Sequence, residues 1–364
     1  MRDVPPRPVG TVEHMGAAPL LIAGTHVSAG TRVKIEFPLA DLYTYGPLAM
    51  PIEVVRGRLD GPTVFVSAAI HGDEINGIEI IHRLLRQHST LRQLRGTLIC
   101  IPIVNVFGFI NQTRYLPDGR DLNRSFPGSE RGSLTSRVAQ LFLREIAAKC
   151  DYGIDLHTAA AHRNNLPHIR ANLDDKETLR LARSFQVPVL LNSNTRDGSL
   201  RQAAGELGVK VVLFEGGERL RFNDHVIRIG LQGVVSALRT LGMLPARAAR
   251  ESAQKSVVAR HTRWLRAARS GIHHIEVKLG QRVRRGDRLG VISDPFGAVE
   301  DEVRSEHDGI IIGQTSLPLI NEGDALFHLA RFDRVSATER NVETSHSLID
   351  QADNQMPDVD PPTY

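Results

Sequence analysis

The 364-residue sequence predicts an α/β fold, a mainly parallel or mixed sheet flanked by helices, followed by a small C-terminal all-β domain of barrel-sandwich type. Three observations carry this reading. From about residue 60 to residue 245, short apolar runs rich in β-branched residues alternate with stretches of helical periodicity, the pattern of strand–helix units. From residue 271 the texture changes to short β-rich pieces broken by glycines. The length exceeds one ordinary domain and suits two.

The first 45 residues are broken by Pro and Gly, with one alternating stretch at 31–37 that reads as a strand. Residues 63–70 (Thr-Val-Phe-Val-Ser-Ala-Ala-Ile) read as a strand and 77–87 as a helix. The apolar run 97–104 is a second strand. Residues 136–149 have helical spacing, with Val138, Leu141, Phe142 and Ile146 on one face. Strands are expected at 151–156, 187–191 and 209–214, and helices at 175–185 and 227–241. These assignments divide the chain into an N-terminal extension (1–45), a catalytic domain (46–245), an arginine-rich bridging segment (246–270), a small β-domain (271–334) and a disordered acidic tail (335–364).

Composition excludes several classes. With 41% hydrophobic and 24% charged residues, the chain is globular rather than wholly disordered. Its first apolar stretch, 17–23, is far short of the ~20 residues that span a bilayer, and no cleavable signal layout precedes it. A cytoplasmic protein with no membrane partner is the expectation. Cys100 and Cys150 lie in apolar surroundings and read as buried thiols. No Cys-x-x-Cys occurs, so a metal would need His and carboxylate ligands. The 45 basic residues include only six lysines, and they exceed the 41 acids by four. Arginine suits planar carboxylate or phosphate recognition. The arginines are scattered with few aromatics among them, which argues against nucleic acid and for a small anionic substrate.

Four features stand at the carboxyl ends of expected strands: His71-Gly-Asp-Glu74, Asn105, Asp155-Leu-His157 and Phe214-Glu215. In an open parallel sheet these ends share one edge, where ligands bind. His71 and Glu74, three apart, face one side of a turn. With His157 they make a two-His, one-carboxylate set, the usual protein half of a hydrolytic zinc site. A lone His-x-x-Glu would be no more than a helix cap, but a second His at a neighbouring strand end favours the metal. Such a hydrolase needs a base. Glu74 cannot serve if it is a ligand, and Glu218 lies beyond Gly216-Gly217 and should face solvent, so Glu215 is the candidate. The long charged segment 114–128 reads as a binding loop, in which Arg can grip a carboxylate through two hydrogen bonds and Asn can add another.

The ordered set His71-Gly-Asp-Glu74, Arg114, Asp121-Leu-Asn-Arg-Ser-Phe-Pro-Gly128, Asp155-Leu-His157 and Phe214-Glu215-Gly-Gly resembles the succinylglutamate desuccinylase/aspartoacylase family, a branch of the zinc carboxypeptidase-like fold. The bacterial branch is the nearer likeness. The resemblance implies one Zn²⁺ per chain on His71, Glu74 and His157, with Glu215 as general base. It implies that Arg114 polarises the scissile carbonyl and that Asn123 and Arg124 hold a substrate carboxylate. The C-terminal part looks like the small β-domain beside the active-site mouth of these deacylases. It also resembles a lipoyl/biotinyl-type barrel, but no lysine lies between Ile292 and Gly309 to carry a prosthetic group. A lid or a contact between copies in a homo-oligomer is the expected role. The activity so implied is zinc-dependent hydrolysis of the amide bond of an N-acyl amino acid. The alternatives are a zinc carboxypeptidase trimming peptides and a non-catalytic binding protein.

Overall fold

A computed structural model describes residues 20–193, 197–246 and 256–332. The predicted acidic tail and the first part of the N-terminal extension lie outside the described residues.

A short hairpin, β1 (Leu20–Ile22) and β2 (Thr25–Val27), precedes β3 (Arg32–Asp41) and β4 (Pro47–Arg56). There follow β5 (Leu59–Ala68), α1 (Asn76–Leu85), α2 (His88–Leu91), β6 (Arg95–Ile101) and α3 (Val106–Ile110). Next come α4 (Leu134–Glu145), β7 (Tyr152–His157), β8 (Arg163–Ala171), α5 (Lys176–Ser184) and β9 (Val189–Asn192). The α/β region closes with α6 (Leu200–Glu206), β10 (Lys210–Gly217) and α7 (Asp224–Thr240). Strands β5, β6, β7 and β10 run parallel, whereas β3 and β4 pair antiparallel with their neighbours and β8 is antiparallel to β10 but parallel to β9, so the sheet is mixed.

Helices cover both faces, which explains why the central strands read as continuous apolar runs. On one face Ile80, Ile81 and Leu84 of α1, Leu181 of α5 and Val234 and Leu238 of α7 pack on Val64, Val66, Ile154 and Val212. On the other, Val138, Ala139 and Phe142 of α4 pack on Phe65, Ile99 and Ile101. Phe142 meets Phe65 edge-on, with ring centroids 5.8 Å apart and planes at 90°. Gly153 of β7 makes room for this: a Cβ there would lie 2.2 Å from the Phe65 ring.

The C-terminal region comprises β11 (Val257–Ala259), β12 (His261–Arg266), β13 (Gly271–Ile275), β14 (Arg282–Val283), β15 (Arg288–Ser293), β16 (Val299–Arg304), β17 (Gly309–Thr315), β18 (Leu319–Ile320) and β19 (Ala325–Arg331). One antiparallel sheet, β16-β15-β13-β18, belongs to it alone. The β12-β19-β17 ribbon instead continues the main sheet, because β17 pairs antiparallel with the start of β8. Leu166, Val189 and Leu191 are buried with Ile310, Ile312 and Ala330 along this seam.

The expected helices and strands of the α/β region occur with ends shifted by a few residues, and the structure adds several. Part of the segment expected to bridge, 246–270, is strand: β11 pairs with β9 and β12 with β19. The arginines that suggested a linker, Arg263 and Arg266, are exposed along β12 and leave Leu265 buried. Strand β3, within the expected N-terminal extension, is an edge of the main sheet. Strands β4 and β8 and helix α6 were not foreseen.

Phe142 is fully buried between two aromatic neighbours, Phe65 and Phe126. Phe142→Ala should cost about 3–5 kcal/mol, read as a lower denaturant midpoint with little change in the slope of the unfolding transition.

Candidate metal centre and substrate cavity

Strand β5 delivers the first two residues of the site. Ala69, just past its end, has φ +49°, a left-handed conformation rare for alanine. It turns the chain so that His71 and Glu74 sit in a tight turn closed by Glu74 N–H donating to His71 O at 3.1 Å. Gly72 is required there, since a Cβ would fall 1.9 Å from the backbone of Gly108. His157 is the last residue of β7, and Glu215 lies opposite it on the parallel strand β10. His71, Glu74 and His157 are all buried and offer ligand atoms within 4.8 Å of one another.

Glu74 bridges the rings: Oε1 is 2.7 Å from His71 Nδ1 and Oε2 is 2.8 Å from His157 Nδ1. Each ring is held from behind by a second carboxylate. His71 Nε2 lies 3.1 Å from Asp121, and His157 Nε2 lies 2.7 Å from Asp155. Asp155 is itself anchored by Ser67 Oγ, which donates at 2.8 Å. Outer carboxylates of this kind orient histidine ligands and raise their basicity.

The electrostatics point to a cation. Burial disfavours the charged form of both histidines, but Glu74 with Asp121 raises His71, and Asp155 with Glu74 raises His157 well above the usual range. Burial would likewise raise Glu74, yet the two rings hold it below the usual carboxylate range. The shifts mark a buried cluster of carboxylates that calls for positive charge. A divalent ion at the converging Nδ1 and carboxylate atoms would supply the same charge with nitrogen and oxygen donors suited to zinc. The donor set fits such a metal.

Arg114 lies against this cluster. Its Nε and Nη2 donate to Asp121 at 3.0 and 2.8 Å, and Nη1 reaches Glu74 at 3.3 Å. Asp121 also accepts from Asn123 N–H at 2.9 Å, so one carboxylate ties His71, Arg114 and the loop turn together. Asn123 Oδ1 accepts from Leu200 N–H at 2.9 Å. That bond fixes Asn123 and leaves its amide NH₂ as the donor on the cavity side. Arg124, next in the chain, lines the same cavity.

Glu215 Oε2 accepts from Asn165 Nδ2 at 2.9 Å, and Arg170 lies 3.8 Å from Oε1. Burial raises its pKa against the pull of Arg170 and His157. Glu218, the rival carboxylate, accepts from Ser316 of the C-terminal region at 3.0 Å and is not among the cavity-lining residues. Asn105, the remaining strand-end residue, is structural: its Oδ1 caps α3 by accepting from Gly108 N–H at 2.8 Å.

These residues converge on one cavity of about 280 Å³. Arg170 of β8 completes its wall together with residues not foreseen from sequence: Arg163 and His168 of the same strand, and Trp264 and His328 from the C-terminal region. Arg163 stacks on Trp264 at 4.7 Å, and Trp264 on His328 at 4.5 Å with planes within 7°. Asp155 was detectable, since it is two residues from His157 on a strand and so shares its face.

Residues 60–241 match a sequence model described as the succinylglutamate desuccinylase/aspartoacylase catalytic domain. A curated protein of Halomonas elongata, N-alpha-acetyl-L-2,4-diaminobutyric acid deacetylase, is 26% identical over 314 residues, covering 81% of this chain and 90% of that protein. A succinylglutamate desuccinylase/aspartoacylase from Rhodobacter sphaeroides superposes with TM-score 0.71 at 26% identity, over 82% of this chain and 96% of its own. The product-bound ectoine utilization protein EutE (DoeB) of Ruegeria pomeroyi has the same fold, with TM-score 0.73 at 24% identity over 83% and 95% of the two chains.

The outer carboxylates generate a test. Asp155→Asn should weaken zinc affinity about 10- to 100-fold while the fold persists, measured by competition with a chromogenic chelator. Wild-type affinity in this variant would show that Asp155 does not orient a ligand. His71→Ala and His157→Ala should each yield protein without stoichiometric metal by elemental analysis.

Proposed function

The chain belongs to the succinylglutamate desuccinylase/aspartoacylase family, and from that premise we propose that it is a zinc-dependent deacylase that hydrolyses the amide bond of an N-acyl amino acid. The observation that carries this reading is the buried His71–Glu74–His157 cluster beside Glu215, in an arginine-lined cavity of small volume. The relative named as an N-acetyl-diaminobutyric acid deacetylase supports the reaction class.

A zinc ion held by His71, Glu74 and His157 would supply a Lewis acid that lowers the pKa of water to about 7. Glu215 takes the proton of the attacking water on Oε1, since Asn165 occupies Oε2. The same carboxyl group then passes that proton to the departing amine. Its raised pKa suits both halves of this task. Arg114, braced by Asp121, stabilises negative charge as it develops on the carbonyl oxygen. Arg124 grips the substrate carboxylate with help from the Asn123 amide, which makes the attack effectively intramolecular.

The cavity size and the wall formed by Trp264 and His328 favour a small acylated amino acid over a peptide. Its lining carboxylates are Glu74, Asp155 and Glu215, against arginines at 114, 124, 163, 170 and 201. Glu74 and Asp155 are engaged with histidines, so a neutral or acidic amino acid suits the site better than a basic one. A panel of N-acetyl, N-succinyl and N-formyl amino acids, run beside short peptides, tests this directly. Faster release of a C-terminal residue from peptides would replace the deacylase with a carboxypeptidase.

Glu215→Gln should retain zinc and fold yet lose activity by orders of magnitude, while Glu218→Gln turns over normally. In the wild type, kcat/KM should fall on the acid side at a pH above the ordinary glutamate range. Glu215 is the base only when deprotonated, and burial raises its pKa. Arg124→Lys should raise KM with kcat changed less, at about 30-fold in kcat/KM (~2 kcal/mol) for one lost bidentate pair. A substrate whose carboxylate is capped as an amide should not distinguish the two enzymes; equal sensitivity of capped and free substrates would remove Arg124 from carboxylate recognition.

A further inference from the structure

A second cavity, of about 560 Å³, lies where β3, the β4–β5 connection and α2 meet. Its charged lining is of one sign: Arg32, Arg56, Arg58 and Arg92, with His88 beside them and no Asp or Glu. Two of the arginines are already engaged. Arg32 binds Glu53 and donates from Nη1 to His88 Nδ1 at 2.9 Å, and Arg56 donates to Val27 O at 2.6 Å. The Arg32 bond fixes the His88 tautomer, because a ring nitrogen that accepts leaves the proton on Nε2. The side chains of Arg58 and Arg92 make no ion pair or hydrogen bond among the described residues. The Arg58 stem rests on Gly30, where a Cβ would lie 2.9 Å from its Cγ, so the side chain is seated by contact rather than by an acid.

Several guanidinium groups around one concavity repel one another unless an anion lies between them. Guanidinium forks match phosphate oxygens two at a time. We infer that this cavity is a binding site for a phosphate-bearing small molecule, with Arg58 and Arg92 as its principal ligands and Arg32 and His88 as the floor. The site is distinct from the catalytic cavity. Arg58 precedes β5 and His71 follows it, so the ten residues of that strand, at ~3.3 Å each, separate the two. It therefore binds independently of the deacylase chemistry, and its test does not depend on that reading.

Pyrophosphate is the probe, titrated calorimetrically into the full chain at low and at physiological ionic strength. Wild type should bind it more tightly than orthophosphate, because two phosphoryl groups engage more of the guanidinium set. Arg58→Gln/Arg92→Gln should weaken pyrophosphate binding at least 10-fold. Arg58→Lys/Arg92→Lys, which keeps the charge but not the fork, should fall between. Both positions are exposed, so the thermal midpoint should stay near that of wild type. Arg124→Gln should leave this binding intact. Unchanged affinity in Arg58→Gln/Arg92→Gln overturns the site, as does loss of binding in Arg124→Gln, which would put the anion in the catalytic cavity. Citrate binding as tightly as pyrophosphate would overturn the phosphate assignment.

Discussion

A carboxylate with almost no solvent, Glu74, is shared between two imidazoles, and much of the molecule is arranged to make that tolerable. Burying an anion is costly unless opposite charge and hydrogen bonds compensate. Here the compensation comes from elements far apart in the chain: His71 after β5, His157 at the end of β7, the Thr158 backbone N–H at 3.1 Å, and Arg114 from the long loop. Asp121 and Asp155 stand behind the rings and deepen the demand for positive charge. The fold supplies a negatively poised socket and walls it with arginines. Such a layout suits a cation in the socket and an anion against the arginines.

The parallel strand order makes this assembly possible. Because β5, β7 and β10 are adjacent and point the same way, their carboxyl ends deliver His71, His157 and Glu215 to one edge. Pairing of Glu215 with His157 across the ladder sets the spacing between these two side chains. The antiparallel strand β8 then brings Asn165 and Arg170 against the same carboxylate from its other side. A glutamate that would be an ordinary surface acid elsewhere is thus largely withdrawn from solvent and hydrogen-bonded on one oxygen, because strand pairing brings Asn165 beside it.

How much of this was legible depended on whether the relevant chemistry was local. The residues His71, Glu74, His157 and Glu215 stood out because each follows directly on an apolar run, and a parallel sheet converts such run ends into one line. Asn165 and Arg163 did not, because β8 reads Arg-Asn-Asn-Leu-Pro-His-Ile-Arg-Ala and has neither alternation nor a β-branched core. It is a strand because of what flanks it, β10 on one side and β9 and β17 on the other. Trp264 and His328 were hidden for a related reason. An arginine-rich segment looks like a linker until a partner strand, β19, buries its alternate face. Propensity was overruled by tertiary pairing in both cases.

The seam between β8 and β17 gives the C-terminal region a standing that a lid or appended module would not have. A lid can be removed and leave a complete enzyme. Here, excision would bare one flank of β8 along 163–165 and strip Ile310, Ile312 and Ala330 from Leu166, Val189 and Leu191. An unpaired strand flank beside an apolar strip is a template for joining another chain. The cavity wall and the protection of the sheet against self-association are thus one and the same piece of backbone, inherited or lost together.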